Sequence, residues 1–331
     1  MTNRSSALFA LALFTFGCGK STGTGQLDSG DASSGPTCET SVDSTVPMNG
    51  SMDHYYRDPI VFHLSGPDET ATVVTDIVGE TRFEDDGATV VFTPQGNLSA
   101  STEYTIGLDY CFGQPEISFT TSHFGAPLEA SADLEGRTFA LDVNSGEYTT
   151  GENAGELLNS LFTRPLLIQL RGVDGPYLEI IAALGQRDMD PPAQDTCART
   201  IELSNVAIND LPYVTGGVED FEFGAQGGLL RFASFDFQAT ISSDAESIGG
   251  IGYQAVMGVP EIVALLPEFG DLTDVCNLTE NLGIPCEVCP DGSGDECISI
   301  SATSIEANIV EGASLESIVE PGTHEDCETV D

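Results

Sequence analysis

The chain has 331 residues, 40% apolar and 19% charged. That is the composition of a folded protein long enough for two domains, and it excludes an intrinsically disordered one. Its 53 acidic residues stand against 10 basic ones, for a formal net charge of −43; phosphate binding needs clustered Lys and Arg, so nucleic acid is excluded as a partner, and anionic membrane surfaces are repelled as well.

Arg4 supplies a positive start, and Ala7 to Phe16 is an unbroken apolar run. The run is too short to span a bilayer and has the length of a secretory signal core. It ends in Thr15-Phe16-Gly17-Cys18. A small residue followed by Cys at that point resembles the lipobox of bacterial lipoproteins, with two departures. Thr15 stands where Leu is usual, and Phe16 is bulky for its place. The resemblance implies a signal peptide over 1–17 and acylation (palmitate) of Cys18 as the new N-terminus. Gly19, in place of Asp, implies a lipid anchor in the outer membrane, with the protein in the cell envelope. Residues 18–37 then form the lipidated Cys and a Gly/Ser/Thr/Asp tether, whose random-coil reach is roughly 25 Å.

From 38 to 125 short alternating runs recur between turn signals. Ile60, Phe62 and Leu64 share one face; Ala88 to Thr93 reads ATVVFT; Tyr104, Ile106 and Leu108 share a face, as do Ile117 and Phe119. Such spacing predicts a small sandwich. The run Val91-Phe92-Thr93-Pro94, then Leu98 to Thr105 as LSASTEYT, then Ser118-Phe119-Thr120-Thr121, resembles a bacterial Ig-like domain of the S-layer and surface-protein type. The resemblance implies an Ig-like spacer without an activity of its own. Cys38 and Cys111 depart from that family, and we expect them to pair with each other.

Residues 126–331 are similar to lipoprotein regions of unassigned function. Strand-like runs fall at 138–143, 166–170, 177–184, 200–206, 229–241, 251–257 and 298–309. In the run from Leu229 to Ile241 the apolar phase flips at Ala233-Ser234, which predicts a β-bulge. One short helix is expected over 153–162, where Asn153 and Glu156 have capping-box spacing and Pro165 ends the run. The fold class is therefore mainly β: an Ig-like sandwich followed by a disulfide-bonded antiparallel domain, either a barrel or a curved sheet.

Beyond Cys18, eight cysteines remain, an even number that reads as disulfides in an exported chain. A single C-x2-C at Cys286 and Cys289 lacks the second knuckle of a zinc site, and the turn sequence after it is not the helix start of a redox motif. We expect Cys276–Cys286, Cys289–Cys297 and Cys197–Cys327, among the possible connectivities. The loop between Cys289 and Cys297 carries Asp291, Asp295 and Glu296, which offer either a calcium site or a solvated turn; their spacing is not that of an EF-hand. Calcium is the one cofactor the residues suggest.

The four histidines lie outside any catalytic or metal spacing and are expected at the surface. Phe221, Phe223, Phe232, Phe235 and Phe237 are expected in the core, the alternative being the lining of a ligand-binding barrel. No catalytic constellation stands out. The leading expectation is a non-enzymatic envelope lipoprotein whose Ig-like spacer presents a β-rich head to a surface or an envelope protein partner. The alternatives are a β-barrel that binds a small apolar ligand and a secreted hydrolase with an unrecognised site.

Overall fold

The computed structural model describes residues 40–111, 113–129, 133–150, 155, 164–186, 189–225, 228–265 and 270–320. The signal segment, Cys18, the tether, Cys38, Cys327 and, Gly155 apart, the expected helix lie outside them. No helix among the described residues is long and apolar enough to cross a membrane.

Seven strands form the N-terminal sandwich: β1 (Val42–Val46), β2 (Ile60–Leu64), β3 (Thr72–Val74), β4 (Gly79–Glu84), β5 (Thr89–Pro94), β6 (Glu103–Asp109) and β7 (Glu116–Thr120). They make two sheets, β1-β2-β5-β4 and β3-β6-β7, the four-plus-three arrangement of an Ig-like fold. Ile60, Phe62 and Val90 meet Ile106, Leu108 and Phe119 in a fully buried core. Burying alternate side chains between the sheets is what sets the period of two in the sequence. β1 and β4 close the edges of their sheet and bury almost nothing, so neither carried that signature.

The second part is a closed antiparallel barrel. Its strands are β8 (Thr138–Asp142), β10 (Leu166–Asp174), β11 (Tyr177–Leu184), β12 (Ile201–Asp210), β13 (Tyr213–Ala225), β14 (Gly228–Ile241), β15 (Ser247–Gly258) and β17 (Glu296–Ile309). They pair in the order β15-β14-β13-β12-β11-β10-β8-β17, and β17 returns to β15 to close the ring. Two short strands, β9 (Glu147–Tyr148) and β16 (Cys286–Val288), add to β17. A barrel, rather than an open curved sheet, is thus the outcome.

Seven of the eight wall strands were expected; β13 was not. Its alternation is broken by Gly216-Gly217 and flips at Asp220, from Val218 to Phe221 and Phe223. The cause lies in its neighbour. β14 bulges at Ala233, where its pairing with β15 slips one residue between Phe232 and Ser234. β13 keeps constant register with β14 through that point, so Asp220 opposite takes a positive φ of 47° and both strands change phase together.

Among the described residues two short helices follow β15: α1 (Val259–Leu265) and α2 (Leu272–Asn281). Asp271 caps α2 by accepting from the backbone N–H of Thr273 and Asp274 at 2.9 and 3.1 Å, and Asp274 returns the bond. This is a capping box built from two aspartates. Val259, Ile262, Val275 and Ile284 bury against Phe223, Leu230, Met257 and Ile298, sealing one rim of the barrel.

At the other rim the sandwich docks on the barrel. Tyr55 and Tyr56 hydroxyls meet the buried Thr240 hydroxyl at 2.6 and 3.2 Å. Arg57 lies 3.7 Å over the Tyr213 ring. Gly249 and Gly250 have no side chain because the rings of Phe124 and Tyr55 occupy the space a Cβ would take.

After β17 the chain crosses the outside of the wall as a strap. Val310 and Leu315 cover Leu167, Ile181 and Ala183. Buried polar side chains stitch the strap down: Gln194 binds both the N–H and the C=O of Glu316, Gln169 accepts from Leu315, and Thr200 accepts from Ile318.

Candidate functional site: an apolar lumen

The barrel interior is packed at both rims and open in the middle. A cavity of about 160 Å³ remains there, and all eight wall strands contribute to it. Its lining side chains are hydrocarbon except for the Met257 thioether and the Tyr253 hydroxyl. Eight strands enclose an interior just wide enough either to be filled by side chains or to hold one small ligand. The inward residues at mid-height are small or set apart: Ala182, Ile168, Ile201 and Val218 point inward yet keep accessible surface, since they face space and not a neighbour.

One wall of the lumen is aromatic. Phe221 stacks on Phe232 at 4.8 Å, and Phe235 stacks on Tyr253 at 5.6 Å with Phe237 beside it at 5.9 Å. The five phenylalanines of β13 and β14 all line the cavity and also belong to, or pack against, the buried clusters of the barrel, so the core expectation and the lining alternative both hold. Phe223 and Phe232 also belong to the packed rim, whereas Phe221, Phe235 and Phe237 are half-buried. Alternation alone could not separate these states, because a lumen and a core demand the same inward hydrocarbon.

Tyr253 is the polar exception. Burial raises its hydroxyl pKa far above the ordinary tyrosine value, with Tyr148 beside it adding to the effect. Tyr148 in turn donates to the Val143 carbonyl at 2.8 Å. At any physiological pH the lumen therefore carries no charge of its own, and Tyr253 stays a neutral phenol.

The wall is not uniformly zipped. β11 pairs with β12 along most of its length and β13 with β14 along all of it. Pairing between β12 and β13 is confined to Ala207–Thr215 and Asp210–Tyr213, next to their hairpin. Beyond that point the two strands part, until Arg199 reaches Glu222 in an ion pair of 2.8 Å and Gly224 meets Ala198. Outside this seam lies a cleft of about 560 Å³. Leu203 and Val218 line both the cleft and the lumen.

The structure joins Cys276 to Cys286 and Cys289 to Cys297. The first bridge ties α2 to β16; the second closes the acidic loop. Cys111 and Cys197 are also disulfide-bonded, while Cys38 and Cys327, their expected partners, lie outside the described residues.

The three loop carboxylates do not converge as a calcium site would require. Arg231 sits 2.7 Å from Asp291 and 4.0 Å from Asp295, and it also binds Asp220 at 2.9 Å. Its guanidinium supplies the positive charge between them. The Ser293 N–H and hydroxyl, with Arg231 nearby, hold the Asp291 carboxyl below its ordinary pKa. Glu296 turns the other way, its carboxylate 3.1 Å from Cys276 Sγ. Cys276, Cys286 and Glu296 do lie together, but both sulfurs are consumed by the disulfide.

His63 and His123 are exposed as expected. His54 is not: it is buried with its ring edge on Phe119 at 4.9 Å, and burial lowers its pKa. His324 lies outside the described residues.

No family model and no curated protein matches the chain. Among solved structures it is similar to an L,D-transpeptidase from Mycobacterium smegmatis, at 15% identity over 36% of this chain and 68% of that one, with a TM-score of 0.22. It is also similar to the S-layer protein rSbsC, at 9% identity over 84% of this chain and 54% of that one, with a TM-score of 0.19. At such scores neither likeness describes the fold, which rests on the strand pairings themselves.

Proposed function

We propose that this protein is a non-enzymatic binding protein of the bacterial cell envelope, exported and held by a lipid on Cys18, whose barrel takes up one small apolar molecule. The observation that carries the reading is the lumen: about 160 Å³ of space walled by hydrocarbon. A cavity of about 150 Å³ lined by Leu, Ile and Phe stays dry and admits a benzene-sized guest. Leaving such space empty costs stability, so its retention in a barrel otherwise packed at both rims speaks for an occupant. The ligand-binding reading therefore goes ahead of the partner-contact reading that the sequence favoured. The Ig-like sandwich serves as a pedestal between tether and barrel, fixed by Tyr55, Tyr56 and Arg57.

Calorimetric titration of the oxidised protein with toluene tests the lumen. Saturable binding of one equivalent is expected; no heat beyond dilution, together with no apolar molecule in a solvent extract of protein from its own cells, would remove the reading. The address is tested separately by fractionation, in which Cys18→Ala should move from the membrane pellet to the soluble fraction. Retention of that variant in the pellet would dismiss the anchor.

A further inference from the structure

The seam between β12 and β13 bears on how the lumen is reached and what reaches it. Residues 201–206 and 216–222 of adjacent wall strands face each other without ladder pairing. The opening is bounded below by the Ala207–Thr215 pair, where Val206 closes on Gly216, and above by the Arg199–Glu222 ion pair. Among the described residues each barrel end carries a packed cluster, one built with α1 and α2 and the other including Ile241, Ile248 and Ile305. Among the described residues the seam is a place where a single layer of side chains separates lumen from outer cleft. Two side chains, Leu203 and Val218, form that barrier, with the lumen on one side and the outer cleft on the other.

The two spaces differ in chemistry. Inside, the lining is hydrocarbon and aromatic. Outside, the cleft is lined by Glu202, Ser204, Asn205, Glu219, Ser234 and Asp236, with no basic side chain among its lining residues. A molecule lying across the barrier therefore meets an apolar wall at one end and hydrogen-bonding groups with negative charge at the other. Like charges brought into such a cleft are repelled.

We propose that the lumen is loaded sideways through this seam, and that its ligand is an amphiphile: an apolar end in the lumen, a neutral or cationic polar end in the outer cleft. The proposal rests on the lumen being a ligand site and adds the route and the ligand class. Leu203 and Val218 act as the gate. Arg199 and Glu222, both partly exposed, act as a clasp that must loosen when the strands part. An exposed pair of this kind adds little to fold stability, so the clasp can be removed without loss of the barrel.

The test uses the full-length oxidised protein and three probes with the same seven-carbon chain: 1-heptanol, heptyltrimethylammonium and heptyl sulfate. Binding is read by calorimetry and its rates by stopped-flow tyrosine emission, which no tryptophan obscures. Heptanol and heptyltrimethylammonium should bind about tenfold or more tighter than heptyl sulfate. Equal affinity for the sulfate overturns the assignment of the polar end. Val218→Phe, which thickens the gate, should slow association by roughly tenfold. Glu222→Ala, which frees the clasp and leaves the gate residues intact, should speed both association and release by about threefold. If wild-type protein binds the probes and Glu222→Ala keeps wild-type rates, the lateral route is wrong while the lumen stands. If wild-type protein binds none of the probes, the lumen reading falls first.

Discussion

Filling the lumen should make the protein more stable and less able to bind. Ala182 lies on the inward face of β11 at mid-height and borders the cavity. At about 24 cal/mol per Å³, an empty lumen of about 160 Å³ costs at most roughly 4 kcal/mol relative to a filled one. Ala182→Leu adds three carbons to that space, worth about 0.8 kcal/mol each on burial, and loses up to about 1 kcal/mol of side-chain entropy. The net expectation is a gain of about 1.5 kcal/mol. Urea denaturation of the oxidised protein measures it as a higher midpoint at unchanged slope. Toluene titration of the same variant should show binding weakened by about tenfold or lost, since the added carbons take the guest's place. The reasoning is refuted if Ala182→Leu destabilises the protein by more than about 1 kcal/mol, the signature of overpacking an already full interior.

Two further expectations concern the sandwich and its dock. Burial raises the Asp58 carboxyl from 3.8 to about 6, with Glu147 adding repulsion. The folded state therefore binds this proton more tightly than the unfolded chain, so stability falls as pH rises from 3.8 through about 6. Asp58→Asn should be more stable than wild type by about 2 kcal/mol at pH 8 and equal to it near pH 3.5; a pH-independent difference in midpoint would contradict this. Thr240→Val takes the shared partner from the Tyr55 and Tyr56 hydroxyls and should cost about 1–3 kcal/mol by thermal unfolding, whereas a neutral result would show that those hydroxyls find water instead.

Strands that bury one face were legible, because Ile60-Phe62-Leu64 or Phe235-Phe237 can pack only with period two. The Ala233 bulge was legible for the same reason: a change of phase has few other causes. What escaped reading was set by neighbours. β13 changes phase at Asp220 because β14 bulges opposite, and no local signal in Glu219-Asp220 says so, although Phe221-Phe223 after a phase flip could have suggested it. α1 hides in an apolar run that starts Val259-Pro260, where proline fits the first turn of a helix but reads as a breaker. α2 is announced by Asp271 and Asp274, a capping box in which Asp takes the place usually held by Glu. The lumen could be read only as an alternative to a filled core. Whether Ile168, Ala182 and Val218 meet across the barrel or stop short depends on its diameter, which is a property of the closed ring and not of any strand.

The strap from Val310 to Ile318 gives the barrel two unlike sides. Over β10 and β11 the wall is backed by a second layer of chain and splinted by Gln169, Gln194 and Thr200. Where β12 leaves β13 there is a single layer and few rungs. Thermal breathing must then be lopsided: amide protons of β10 should exchange with solvent far more slowly than those of residues 216–222, as in a cask hooped along one flank only.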